Sequence, residues 1–205
     1  MIGYAINAAL NAGVFDEVIV STEDKEIKDV AISLGAIVDD RPQYMAGDKV
    51  TNVQVVKEYL ERNINLQDED TITTLLPTCP FRTSDHLKEA YQLFTKYKSE
   101  LPFLIGVTDY EFPIQLALSR TESSFVEMTF EDGYNTTRSQ NIEKRYHPNG
   151  AMYMATVKAF MKNGTFFNQK MNTYKMSAVH SYDIDYPYQF EIAEILIKKI
   201  ENNEL

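Results

Sequence analysis

Short apolar, β-branched runs separated by stretches whose apolar residues recur at helical spacing constrain this chain more than any other feature. EVIVST (17–22), AIV (36–38), TITTLL (71–76), PFLIGVT (102–108), AMYMAT (151–156) and YKMSAV (174–179) read as strands. Helices are expected over 2–12, ending near Gly13, over 24–34, stopped by Gly35, over 51–62 and over 84–97, capped by Ser84 or Asp85. A further helix starts at Pro187, a residue suited to a first turn. Strands alternating with helices predict an α/β fold, a three-layer, mostly parallel, Rossmann-like sheet. Regularity lapses over 109–147, where PIQLALS and SFVEMTF read as paired strands within an inserted arm. One domain is expected over 1–205.

Composition narrows the partners. The formal net charge is -10, which argues against nucleic acid, because phosphate backbones are gripped by clustered Lys and Arg. A protein of this charge that binds a nucleotide must build a local positive site against its own field. Cys79 is the single cysteine, so no internal disulfide forms and a reducing, cytoplasmic location is expected. No basic leader and no run long enough to cross a bilayer is visible, so no membrane partner is expected.

Ligands of open α/β sheets bind beyond the C-terminal strand ends. STED (21–24), PTCPFR (77–82) and DID (183–185) all fall at or just past such ends, so three polar clusters should meet on one rim. Asp183 and Asp185 are two apart and, on a strand, would share a face. Like charges at that spacing repel unless something compensates them. Mg²⁺ typically takes one or two carboxylates plus substrate phosphates; the plainer alternative is a solvated strand end whose acids cap the next helix.

PTCPFR is a stiff loop, and Cys79, with no nearby base, reads as a small buried thiol. Arg41 could fork onto a base or phosphate, or pair with Asp39 or Asp40 on the surface. Arg138 could grip a carboxylate bidentately. His86 and His180 show no metal spacing and read as structural or exposed.

Taken in order, IGYAINAALNAGVFDEVIVSTED, GAIVDDRP, TITTLLPTCPFRTSDHLKEA, TRSQ through RYHPNGAMY, and DID…AEIL resemble the acylneuraminate cytidylyltransferases (CMP-sialic acid synthetases) and their relatives acting on other nonulosonic acids. The resemblance spans nearly the whole chain. It implies transfer of CMP from CTP to a nonulosonic acid with release of pyrophosphate. It implies Mg²⁺ on Asp183 and Asp185, nucleotide contacts from Thr22, Arg41 and Asn52, and sugar contacts from Thr78, Arg82, Arg138, Gln140 and Asn149. It also implies a homodimer built by the 109–147 arm.

Departures from the family pattern qualify the expectation. Leu76 stands where the family has Gln, Cys79 where it has Ser, and His147 where an arginine precedes PNG; Tyr186 follows the acids, and Gln189 replaces a later acid. EFPIQLAL, TRSQ and Tyr146–His147 look like the pseudaminic acid branch, the NG-A-Y turn like the sialic branch. Relatives open with a strand and a glycine-rich basic loop ahead of the segment matching Met1–Ala5. No such loop occurs here, so weak CTP turnover and a sheet lacking a central strand are expected. The competing reading is a non-catalytic relative that keeps the dimer arm and sugar pocket. A Kdo-like acceptor is a third.

Overall fold

A computed structural model of the chain describes residues 1–120, 125–131 and 141–202. Six helices are described: α1 (Ile2–Ala12), α2 (Lys25–Ser33), α3 (Asn52–Arg62), α4 (Ser84–Tyr97), α5 (Val157–Asn163) and α6 (Pro187–Glu201). Eight strands accompany them: β1 (Ile19–Thr22), β2 (Ile37–Asp40), β3 (Thr71–Thr74), β4 (Phe103–Asp109), β5 (Leu118–Arg120), β6 (Val126–Met128), β7 (Tyr146–Thr156) and β8 (Asn172–Lys175).

The central sheet runs β3-β7-β4-β8. β7 is antiparallel to both β3 and β4, and β8 is parallel to β4. Three of its four strands therefore point one way, the mostly parallel sheet expected from alternation. β1 and β2 pair in parallel as a separate two-stranded sheet. Among the described residues, β1 and β3 each have one edge without a strand partner.

Neighbouring residues on the strands face opposite layers. Leu104 and Met154 pack with Ala8, Ala9 and Ala12 of α1 and Leu87, Ala90 and Phe94 of α4. Phe103 and Ala155, one position away, pack with Leu60 of α3 and with Phe160 and Phe166. The two-residue strand period thus separates two apolar layers across one sheet, and helices cover both faces.

Local chemistry accounts for the helix starts. Thr51 and Thr83 each form a reciprocal cap with the third residue of the helix, Gln54 for α3 and His86 for α4. The α4 cap is one residue earlier than Ser84. α6 starts with Pro187, and Gln189 reaches back to the amides of Asp185 and Tyr186 at 2.7 and 2.8 Å.

The arm departs from its expected form. The first part of PIQLALS is a 3-10 turn (Ile114–Leu116) held by backbone bonds after Pro113, and only Leu118–Arg120 pairs, antiparallel, with Val126–Met128. Proline at 113 favours that turn over a strand.

Candidate functional site

β7 carries the most irregular part of the sheet, and the site grows from it. Val107 of β4 pairs with Pro148 and Ile105 with Tyr153. Between these pairs one residue of β4, Gly106, faces four of β7, which bulge out as Asn149–Met152. Gly150, at the crest, has φ +72°, a left-handed conformation that glycine adopts without strain. A β-carbon there would stand 3.3 Å from Leu76 Cδ1 and 3.5 Å from Asp183 Oδ2. The bulge thus lies against both the proline loop and the acid loop.

The proline loop is held from inside. Arg82 is 3% exposed, and its guanidinium donates to the carbonyls of Leu76 and Ala151. Burial lowers its pKa to about 10, with Cys79 and Asp183 acting in the opposite sense, so it is charged at neutral pH. Cys79 is fully buried beside it, and its thiol faces the His180 carbonyl at 3.8 Å. Burial pushes that thiol up to about 11, far from a thiolate at neutral pH. The inert reading of Cys79 agrees with this environment.

The acid loop does not continue a strand. β8 ends at Lys175; a turn follows, closed by Ser181 N–H on the Ser177 carbonyl at 3.0 Å, and the acids come after it. The expectation of acids at a strand end is corrected on this point: the turn over Ser177–Ser181 uses the intervening residues. Alternation survives nonetheless. Ile184 is buried against Phe81 and Ala193, and its amide donates to the Thr78 carbonyl at 2.9 Å. Asp183 is half-buried and Asp185 exposed.

Asp183 Oδ1 is buried and has no hydrogen-bond partner among the described residues. Buried carboxylate oxygens are rarely left so, and an orphaned acceptor of this kind suits a hard cation. Neither acid caps α6; Gln189 does that. No group of three or more His, Cys, Asp or Glu side chains gathers among the described residues, but Mg²⁺ needs only one or two carboxylates when phosphates and water complete its shell. The donor set fits.

A cavity of about 240 Å³ adjoins the bulge, lined by Thr51, Asn52, Thr74, Leu76, Tyr153 and Phe167, among others. The N-terminus of α3 provides its polar side. Tyr153 forms its floor, and its hydroxyl pKa is raised by burial first and by Asp183 second, which places cavity and acid in one field. Thr78 is half-buried on the same loop as Leu76.

The other expected residues are engaged within the protein. Thr22, 5% exposed, ends β1, and its hydroxyl accepts from the Asp24 amide at 3.2 Å. Arg41 donates to the Ser21 carbonyl and lies 3.7 Å from Glu23, and its Nε is buried without a partner among the described residues. Asp39 and Asp40 are engaged by Arg62 and Lys28, both elsewhere. Asn149 spends its side-chain amide inside the protein, on Ser181 Oγ at 2.9 Å and the Ala151 amide at 3.1 Å. Arg138 and Gln140 lie outside the described residues.

The cytidylyltransferase family model matches residues 1–204. The chain belongs to the cytidylyltransferase family. A pseudaminic acid cytidylyltransferase of Campylobacter jejuni is 34% identical over 200 residues, covering 97% of this chain and 85% of that protein. An N-acylneuraminate cytidylyltransferase of Escherichia coli is 31% identical over 207 residues, covering the whole of this chain and 47% of its relative. Among solved structures, CMP:2-keto-3-deoxy-manno-octonic acid synthetase complexed with CTP aligns with a TM-score of 0.66 at 12% identity, covering 97% of this chain and 87% of that one. A 4-diphosphocytidyl-2C-methyl-D-erythritol synthase aligns at 0.62 and 10%. At such identities these two show the shared fold. The chain is a nucleotidyltransferase by family.

Sequence reasoning missed the cavity's aromatic wall within this cytidylyltransferase fold. Tyr153 stands alone in its strand, and Phe166 and Phe167, a pair of phenylalanines in a loop, have no periodicity to mark them. The one available signal was NG-A-Y itself, whose tyrosine the bulge turns toward the acids.

Proposed function

We propose that this chain transfers CMP from CTP to a nonulosonic acid of the pseudaminic or sialic type, releasing pyrophosphate. The observation that carries the reading is the orphaned, buried Asp183 Oδ1 beside a small amphipathic cavity; the family and the identities of its relatives support it. The anomeric hydroxyl of the sugar acid attacks the α-phosphorus, the bond to the β-phosphate oxygen breaks, and CMP passes to the sugar.

Asp183 and Asp185 are the residues that would hold Mg²⁺. When bound, the cation neutralises triphosphate charge. The chain's own groups position the reactants. Tyr153 and Phe167 cover the apolar substituents of the sugar, and Asn52, at the α3 N-terminus on the rim of the same cavity, is proposed for the nucleotide. Thr78 sits on the loop between that cavity and the acids, and Arg41 and Thr22 supply the nucleotide side from β1 and β2. Arg82 acts from inside the loop, on backbone carbonyls. Arg138 and Gln140 are proposed for the sugar carboxylate.

A homodimer formed through the arm is part of the proposal. Leu118 and Val126, on paired strands of that arm, are 57% and 55% exposed, apolar surface that a second copy would cover. No described helix is long and apolar enough to cross a membrane. The cytoplasm, with its CTP, is the proposed location.

The non-catalytic alternative has one observation in its favour: β1–β2 and the central sheet are not joined by strand pairing. It predicts sugar binding without CMP transfer. The test incubates the 205-residue chain with CTP, Mg²⁺ and either pseudaminic or N-acetylneuraminic acid, and detects the CMP-sugar by mass spectrometry. Slow formation of one CMP-sugar supports the enzyme; sugar binding with no product supports the alternative; neither binding nor product overturns both.

A further inference from the structure

Asn149 lies deep in the bulge of β7, 3% exposed, with every polar atom of its amide in use. Nδ2 donates to Ser181 Oγ at 2.9 Å and faces Met176 Sδ at 3.4 Å; Oδ1 accepts the Ala151 amide at 3.1 Å. The side chain occupies a notch that β4 leaves open at Gly106. A β-carbon at 106 would come within 2.6 Å of Asn149 Oδ1 and 3.3 Å of Met152 Cγ, a collision no real β-carbon sustains. Glycine in a strand interior marks such a close approach, and Gly106 falls at the register shift between β4 and β7.

Ser181, the other end of this bond, is 7% exposed and closes the turn that precedes the acids. Two residues later comes Asp183, whose carboxylate rests against the crest of the same bulge at Gly150. Residues 149 to 151 and 181 to 184 are therefore tied twice. One tie is the Asn149–Ser181 bond. The other is the close approach of Asp183 to Gly150, where an added β-carbon would stand 3.5 Å from Oδ2. The Ile184 amide on Thr78 and the Leu76 amide on the Gly150 carbonyl, at 3.3 Å, complete the loop of contacts.

We infer that Gly106, Asn149 and Ser181 form an internal strut that positions Asp183, and that Asn149 contacts neither sugar nor nucleotide. This deepens the proposed function and rests on it for the identity of what Asp183 holds. The physical case is one of exclusion and leverage. A ligand cannot reach an amide that is buried and fully paired. A buried bond between two loops distant in sequence fixes their separation more tightly than exposed loop ends would. Groups that orient a cation-binding carboxylate from behind typically cost about 10- to 100-fold in metal affinity when removed.

The experiment compares wild type with Ser181→Ala, Ser181→Thr and Gly106→Ala. Site-resolved amide exchange reads the strut, and Mn²⁺ affinity by electron paramagnetic resonance reads its consequence. Expected are faster exchange at Ala151 and Ile184 in Ser181→Ala and Gly106→Ala, with Leu104 and Met154 unchanged, and Mn²⁺ binding weakened about 10-fold or more. Ser181→Thr, which keeps the hydroxyl, should restore both. In the wild type, the Asn149 side-chain amide protons should exchange far more slowly than those of an exposed asparagine; fast exchange there overturns the strut even if a variant fails to fold. Wild-type exchange at Ile184 in Ser181→Ala, or uniform acceleration across the core, also overturns it. Faster exchange at Ile184 in Ser181→Ala, together with a wild type that binds no Mn²⁺, leaves the strut standing and counts against the proposed function instead.

Discussion

The Ile184 amide donates to the Thr78 carbonyl across 2.9 Å, pinning the acid loop to the proline loop between its two carboxylates. Ile184 itself is buried against Phe81 and Ala193. One residue therefore anchors the segment by side chain and backbone, leaving Asp183 and Asp185 on either side. A pair of acids held this way departs from the solvated strand end that spacing alone suggests, and its placement depends on what lies beneath the proline loop.

Arg82 lies beneath it. Replacing Arg82 with Met keeps much of the volume but abandons two carbonyls, that of Ala151 buried and that of Leu76 partly so. Each unsatisfied acceptor costs about 1–3 kcal/mol. Chemical denaturation should show a loss of about 2–5 kcal/mol, and a variant as stable as wild type would show that the guanidinium is not a structural post.

His86 makes stability depend on pH. Its folded-state pKa is lowered, by burial first and by the facing His180 ring second, with Glu89 and Asp85 acting the other way; the two rings meet edge to face at 4.8 Å. Because the folded state binds the proton less readily, its contribution is complete above the unfolded value, about 6.5, and is lost as pH falls below that. His86→Gln retains a residue able to complete the Thr83 cap and removes the titration. Unfolding measured at pH 7.5 and 5.5 should show a smaller difference in the variant, and an unchanged difference would contradict the assignment.

Cys79 should resist alkylation. With the thiol fully buried and its pKa near 11, iodoacetamide at pH 8 should label it only after denaturation. Rapid labelling of the folded chain would mean that the proline loop opens readily.

Phe167 tests the cavity. It is 46% exposed and lines the cavity with Tyr153, so Phe167→Ala removes cover for a bound sugar at little cost to the core. Affinity for the preferred nonulosonic acid, by calorimetry, should fall by about 1–2 kcal/mol, with CTP affinity unchanged. An equal loss of both would place the sugar elsewhere.

How far the sequence foretold this arrangement depends on how local each feature is. α1, α2, α3, α4 and α6, with six of the eight strands, follow from periods of 3.6 and 2 and from capping residues, all written within one element. β7's direction, and the bulge that sets four residues against one, depend on partners in β3 and β4 and leave no trace in AMYMAT itself. The acids were read as a strand end because nothing in SAVHSY announces a turn closed by backbone bonds. Asn149 and Ser181 are 32 residues apart, and an NG pair looks the same whether its asparagine faces a ligand or a notch in the neighbouring strand.

Paramagnetic broadening by Mn²⁺ in the presence of CTP tests the central claim most directly, because it reports where the ion sits without requiring turnover. The amides of Tyr182, Asp183, Ile184 and Asp185 should broaden first, followed by those of Leu76 and Gly150, and Asp183→Asn should abolish the effect while melting no lower than wild type. Broadening centred elsewhere, such as Asp39 and Asp40 of β2, or persisting unchanged in Asp183→Asn, would contradict the account.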